Sequence, residues 1–406
     1  MIELAAGFLP LTDCAILVAA KELGFAEEQG IALKLVKENS WANVRDRLAV
    51  EQFEIAHSLA PMPIAANLGL TPLPTKLIAP MALGLGGNAI TVSKAVYHAM
   101  VAKGDHDAQD AAGAGALLAE VVAARALSGK RRLQFGVVHP FSAHNFELHY
   151  WLAASGIAPD RDVDIVVLPP SLLPDALAAG QIDGFCAGEP WNTLAVKAAV
   201  GKIATVKSAI WASSPEKVLA VNALWADENR EALHALLRAL HGASLWCSAT
   251  ENLAALAQLL SSSRYIDRPV DSILPGLNGR LLGARSTDTP APFFDTFARA
   301  ATFPWQSHAL WFYSQMVRWR QVEHRAANVE TARTSFRPDI YRAALAASGA
   351  AVPSANSKVE GALKTTTAVG VSAQSLFLGP DGFFDGAIFD PDEIDTYIAG
   401  QTARPK

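Results

Sequence analysis

Over its first two hundred residues the chain alternates short apolar extended runs with helical runs, and this constrains the fold more than any other feature. Ile2–Phe8 reads as a strand. Asp13–Leu23 reads as a helix begun by Asp13 and stopped by Gly24. Ile31–Val36 is a strand, and Ser40 then caps a helix from Trp41 to about Glu51. Glu54–Leu59, Met62–Leu68 and Lys76–Leu83 continue the series as strand, helix and strand. This order predicts an α/β fold, with a mainly parallel sheet and helices on both faces.

A second unit of the same kind follows. Asn88–Ser93, Leu133–Val138, Val163–Leu168 and Gly184–Ala187 read as extended, and Leu117–Leu127, His144–Ala154, Leu172–Ala178 and Trp191–Ala199 as helices. Ile203–Lys207 leads out, Val218–Val221 reads as a strand and Asn229–Thr250 as a long helix. The chain is expected to leave the first lobe near Gly84–Asn88 and return near Ile203–Trp211. The expected division is 1–86 for the first part of lobe 1, 87–205 for lobe 2, and 206–406 for the rest of lobe 1 plus a C-terminal extension. Two crossings give two α/β lobes with a cleft between them, a usual place for a small ligand. In the tail, Ser263–Thr289 reads as irregular, Pro304–Arg325 as an aromatic-rich helix, and Ala351–Thr367 as an exposed loop.

Composition narrows the function. A length of 406 residues with 51% hydrophobic and 18% charged residues supports two ordinary domains and argues against disorder. A net charge of -5 provides no footprint for nucleic acid or an anionic membrane. The alanine-rich run Ala111–Leu127 is short for a bilayer span and carries Glu120 and Arg125. The cysteines Cys14, Cys186 and Cys247 form no CxxC and read as reduced, buried thiols. The opening Met1–Asp13 reads as the first strand and its turn, with no charged and apolar leader before it, which predicts a cytoplasmic protein.

No GxSxG elbow, Walker A loop or HExxH is present. Gly84-Leu85-Gly86-Gly87-Asn88-Ala89 fits a loose dinucleotide pattern, but Ile90-Thr91-Val92 continues as strand where a helix should begin. His139, His144 and His149 lie five apart, which does not align them on one helix face for a metal. The remaining polar residues suit an anion. Trp41 and His144 stand at helix starts, where unpaired N–H groups and the positive dipole end favour negative charge. Asn88 lies at the expected crossing, and Lys217 precedes a strand as the natural counter-charge.

Several stretches then carry a family resemblance. They are Gly7–Asp13, Ser40–Asp46, Ala60–Pro63, His149–Ile157, Phe185–Asn192 with its Gly188-Glu189-Pro190-Trp191-Asn192 element, Pro215–Lys217, Gln315–Trp319 and Phe336–Asp339. Through them the chain resembles nitrate- and bicarbonate-binding proteins of the NrtA/CmpA type, and within these the NasS-like cytoplasmic nitrate sensors. The resemblance implies a type II periplasmic-binding-protein fold with a C-terminal extension. It implies nitrate or nitrite as ligand, no cofactor and no catalysis, ligand residues Trp41, Asn88, His144 and Lys217, and a supporting shell of Thr12, Gly188, Glu189 and Trp191. His and Lys at the last two ligand places resemble the nitrate rather than the bicarbonate binders. Asn88 stands where the amide is typically Gln, one methylene longer, which implies a bridging water or a shifted ion at that place.

A nitrate site needs donors, one positive charge and no carboxylate facing the ion. Glu189 is therefore expected to turn away into a hydrogen bond within its own lobe. As a NasS-like sensor the protein would sequester a NasT-type RNA-binding antiterminator and release it on ligand binding. The alternative is the soluble binding component of an ABC importer. An enzyme on the same fold, such as a pyrimidine-precursor synthase, lacks support from any nucleophile–base pair.

Overall fold

The computed structural model describes residues 1–105, 107–281, 293–369 and 376–402. Two five-stranded sheets hold strands β1 (Ile2–Phe8), β2 (Ile31–Lys37), β3 (Ile55–Leu59), β4 (Leu77–Ala82), β5 (Asn88–Ser93), β6 (Leu133–Val137), β7 (Val163–Val167), β8 (Gly184–Gly188), β9 (Gly201–Val206) and β10 (Lys217–Asn222). The first sheet runs β2-β1-β3-β10-β4 and the second β9-β5-β8-β6-β7. The chain therefore passes from the first sheet to the second between β4 and β5, and back between β9 and β10.

Each sheet is mainly parallel, as the strand–helix order predicts: four of its five strands run one way and one runs against them. In the first, β1 pairs parallel with β2 and β3, while β10 runs antiparallel to β3 and β4. In the second, β6 pairs parallel with β7 and β8, while β5 runs antiparallel to β8 and β9. The physical reason is the crossing. A strand arriving from the other lobe enters at the edge where the parallel strands end, so it must run back against them. Lys217, first in β10, pairs with Leu59, last in β3. Asn88, first in β5, pairs with Gly188, last in β8. The two crossings thus bring both residues to the carboxyl ends of the parallel strands, where α/β sheets bind ligands.

The helices that matter for the site are α1 (Ala15–Glu22), α2 (Trp41–Ala49), α3 (Ala143–Ala154), α4 (Trp191–Lys197), α5 (Arg230–Ser248), α6 (Val270–Asn278) and α7 (Gln306–Arg318). In α5, Leu233, Leu236, Leu237, Leu240, Ala243 and Cys247 are buried, at the spacing of a single helix face. This face packs on α1 and on the helix Pro338–Leu345. Each leucine so buried stabilises the fold by about 1.5–3 kcal/mol. A separate apolar cluster joins Leu9, Leu11 and Trp41 of the first lobe to Val138, Ala187 and Trp191 of the second, so the lobes are packed against each other.

The C-terminal part ties the lobes together. Trp311 of α7, Trp211 and Phe383 are buried together, with Trp211 and Phe383 stacked at 4.6 Å between ring centroids. The Tyr150 hydroxyl of α3 donates to Asp385 at 2.8 Å, and the Phe384 amide donates to the Ile210 carbonyl at 2.9 Å. The aromatic helix is shorter than the sequence suggests. The segment expected to be irregular contains α6, with Pro275 inside it; its residues from 282 onward lie outside the described residues. Within the expected loop 351–367, Glu360 is fully buried and accepts from the Ser307 hydroxyl at 2.7 Å. The helices Lys94–Val101 and Ala326–Ser335 were not anticipated from the sequence.

The glycine run of the first crossing is a backbone requirement, not a nucleotide loop. Gly86 has φ +78°, and a Cβ there would lie 2.2 Å from the Phe293 carbonyl oxygen. That carbonyl accepts from the Gly87 amide at 2.7 Å, so it cannot simply withdraw. Gly86→Ala should therefore cost at least about 1–3 kcal/mol from backbone strain alone. Urea unfolding of this variant beside wild type checks it; an unchanged midpoint would contradict the close crossing.

Candidate functional site

The four side chains expected to bind the anion are brought together, and each is buried. Trp41 is the first residue of α2, whose cap Ser40 accepts from the Asn43 amide at 3.2 Å. His144 lies in the first turn of α3, whose cap Ser142 accepts from the Asn145 amide at 3.0 Å. Two helix N-termini, one from each lobe, therefore contribute to the site. Both are long enough for their first-turn N–H groups and dipole to act on an anion. Asn88 and Lys217 come from the starts of the two crossing strands.

Asn88, His144 and Lys217 meet around a residue that sequence reasoning passed over. Glu216 takes the Lys217 ammonium at 2.5 Å, the Asn88 amide at 2.6 Å and the Lys207 ammonium at 2.5 Å, and its Oε1 lies 3.3 Å from His144 Nδ1. Lys217 also pairs with Asp13 at 2.8 Å and stands 5.2 Å from the centre of the Trp41 ring. Asp13 in turn lies 3.0 Å from His57 Nε2. The result is a buried chain of alternating charges, with Glu147 joined at its far end through Lys207 at 3.0 Å and through the Ser214 hydroxyl.

This corrects the expectation of a site free of carboxylates. A lysine with no exposed surface would tend to lose its proton. Burial does push the Lys217 ammonium that way, but Asp13 and Glu216 outweigh it and raise its pKa above the ordinary value. The carboxylates are what keep Lys217 cationic. Burial likewise works against the Asp13 carboxylate, yet Lys217 and His57 hold it at about 2. Burial lowers His144 to about 3 despite the nearby Glu216, so the imidazole is neutral and offers one N–H. Asp13 is also not a helix start: it sits inside the 3-10 turn Thr12–Cys14, and its side chain faces Lys217 and His57.

The donors divide into used and unused. Asn88 gives its amide nitrogen to Glu216, and its Oδ1 has no protein partner. Trp41 Nε1 and both ring nitrogens of His144 lack an aligned hydrogen-bond partner, although His144 Nδ1 is near Glu216. A buried donor left so costs about 1–3 kcal/mol, and an acceptor-rich ligand would remove that cost.

The supporting residues separate into two groups. Gly188 belongs to the site, since a Cβ on it would lie 3.3 Å from Asp13 Oδ2 and 3.4 Å from Asn88 Oδ1. Thr12 is adjacent: its amide donates to the Glu189 carbonyl at 2.8 Å and its hydroxyl is buried without a protein partner. Glu189 and Trp191 stand further along the lobe interface. The Glu189 carboxyl accepts from the Thr193 amide at 3.1 Å, inside its own lobe. Trp191 lies under the Arg268 guanidinium at 5.3 Å, beside the Lys197–Asp271 ion pair that joins α4 to α6. The other two histidines of the five-residue series do separate things: His139 Nδ1 accepts from the Phe141 amide, and His149 Nδ1 bonds the Asn145 carbonyl. Among the described residues, no group of three or more His, Cys, Asp or Glu is placed to hold a metal ion, and no helix is long and apolar enough to cross a membrane. The three cysteines are free and buried.

Glu216 and Lys207 could have been suspected from sequence. Glu216 precedes Lys217 directly, and a lysine at a lobe crossing needs a counter-charge. His57 and Glu147 gave no such signal, because each sits in a run that reads as ordinary strand or helix.

Two lobes joined by two crossings, with buried donors from both converging where the sheets meet, define the architecture of a solute-binding protein. The chain belongs to the NMT1-like family, which matches residues 2–261, and within it to the NrtA/CmpA-type group of binding proteins. It is 31% identical to the nitrate/nitrite binding protein NrtA of Synechococcus elongatus over 97% of this chain and 85% of that one. It is 33% identical to the nitrate import ATP-binding protein NrtC of Synechocystis over 84% of this chain, which spans about half (49%) of that protein. The crystal structure of the periplasmic nitrate-binding protein NrtA from Synechocystis superposes with a TM-score of 0.85 at 26% identity, covering 99% of this chain and 98% of that one.

Glu189 supplies a stability test. Burial raises its carboxyl from 4.5 to about 7. A raised acid contributes stability below its unfolded pKa that is lost as pH rises through the folded value. Glu189→Gln should therefore stabilise the protein at pH 8, by up to about 3 kcal/mol, and leave it little changed at pH 4. Thermal melts at the two pH values check this; equal shifts at both would contradict it.

Proposed function

We propose that this chain binds nitrate or nitrite between its lobes and delivers it as the soluble binding component of an importer. The observation that carries the reading is the convergence of Trp41, His144, Lys217 and Asn88 from both lobes, with the indole and imidazole nitrogens unpaired by protein. Nitrate is planar, carries one charge and only accepts hydrogen bonds. Lys217 supplies the positive charge, and Trp41 and the neutral His144 supply an N–H each. Asn88, already donating to Glu216, retains a second N–H, so its contribution to the ion is direct or through a water.

The relatives support import over sensing. Those described above are named as nitrate/nitrite binding proteins or as a nitrate import component. The sensor reading, with a cytoplasmic location and a NasT-type partner, shares the ligand and rests on the NasS-like resemblance of the sequence alone. In either role the ligand acts by preferring one arrangement of the lobes.

Lys217→Ala is an ambiguous test, because it strips Asp13 and Glu216 of their counter-charge and weakens the fold along with the site. Trp41→Phe is cleaner: it keeps an aromatic ring, though a smaller one, and removes a donor that no protein atom uses. Calorimetry should show nitrate affinity about ten- to a hundredfold weaker, the worth of one hydrogen bond to a charged group, while the protein stays folded with a modest loss of thermal stability from the smaller buried ring. Unchanged affinity would remove Trp41 from the site. Capture of partners with and without nitrate separates the two roles: recovery of a membrane permease fits the importer, and recovery of an RNA-binding protein released by nitrate would overturn it.

A further inference from the structure

The buried ion chain contains more negative than positive charge. Its carboxylates are Asp13, Glu147 and Glu216, and its ammoniums are Lys207 and Lys217. All five are buried, and the two histidines that touch the chain, His57 and His144, are held neutral by burial. With every carboxylate ionised, the cluster carries one negative charge in excess before any ligand enters. Placing a further anion beside it, away from water, raises a like-charge conflict that no side chain in the cluster relieves without a proton. We propose that each anion bound at this site is accompanied by one proton, and that Glu147 carries it.

The geometry selects Glu147 over the other two carboxylates. Asp13 is flanked by Lys217 and His57, and Glu216 by both lysines and the Asn88 amide, so each is committed to the charged form. Glu147 has one ammonium, Lys207 at 3.0 Å, and the Ser214 hydroxyl, both on the same oxygen; its Oε2 has no protein partner. It lies one turn beyond His144 on α3. The other groups facing it are Glu216, just before β10, which disfavours its ionisation, and the Cys186 thiol of β8, which burial keeps neutral. Burial first, then Glu216, raise the Glu147 carboxyl to about 7 against the pull of Lys207. A group so poised changes state within the working range when a neighbouring charge arrives.

The inference rests on the anion reading of the site and adds a proton to it. Its sign follows from linkage. Anion binding raises the pKa of Glu147, so affinity is greatest at pH values where the carboxyl is already protonated and falls as pH rises past 7. Nitrate keeps a single charge throughout this range, so the ligand contributes no slope of its own.

The test is calorimetric titration of the full chain with nitrate from pH 6 to 9, in two buffers of different ionisation enthalpy. The expected Kd is nearly constant near pH 6 and rises toward tenfold per pH unit above 7, with a buffer-dependent enthalpy that reports proton uptake. Glu147→Gln, which mimics the protonated carboxyl, should bind nitrate more tightly than wild type at pH 9 and lose most of both dependences. Tight binding that is flat with pH and indifferent to buffer overturns the proton coupling and leaves the anion reading standing. A slope that survives in a folded Glu147→Gln protein overturns the assignment to Glu147. Absence of nitrate binding at every pH overturns the anion reading, and the coupled proton with it.

Discussion

The site depends on Glu216 as its ionic junction. Its carboxylate receives two ammoniums and an amide and stands beside an imidazole, and these come from both lobes and from the segments that join them. A single buried carboxylate would be costly; one saturated by donors is not. Because Lys217, Lys207 and Asn88 all satisfy the same group, separating the lobes at this point breaks contacts that water must then replace. The ionic junction and the mutual orientation of the lobes are therefore one property of the structure.

The topology places that junction. In each sheet the strand received from the other lobe runs against its neighbours, so its first residue sits at the edge where the parallel strands end. This makes Asn88 and Lys217 neighbours of Gly188 and Leu59 by strand register alone. The helices α2 and α3 follow strands that end at the same edge, which brings their N-termini, with Trp41 and His144, to the same place. The glycines of the first crossing allow the backbone to pass close under Phe293. The C-terminal segment then holds both lobes from outside, through Tyr150, Trp211 and their partners.

The sequence made the strand–helix order, the two crossings and the helix starts legible, because local periodicity and capping record them. Trp41 and His144 could be proposed from Ser40 and Ser142, and Lys217 from its place before a strand. The mainly parallel direction is legible, but the one reversed strand of each sheet is not, since strand–helix alternation says nothing of a strand that enters from another lobe. Asp13 reads as a helix start from its neighbours alone; its partners, Lys217 and His57, are distant in the chain. Glu147 was invisible for the same reason: its character comes from Lys207, Ser214 and Glu216, none of which is near it in sequence. Local sequence points to Glu189 as the carboxylate nearest the site, whereas Asp13 and Glu216 are the carboxylates beside Lys217. Local pattern reports where a side chain begins, and long-range pairing decides what it does.

Every functional conclusion above rests on one proposal, that the buried donors around Glu216 form an anion site. It is tested most directly by a crystal structure of the protein with nitrate. Planar density is expected between the lobes, in contact with Trp41 Nε1, the His144 ring and the Lys217 ammonium, while Glu216 keeps Lys207 and Asn88. Nitrate found elsewhere, with Trp41 and His144 still unpaired, would contradict it.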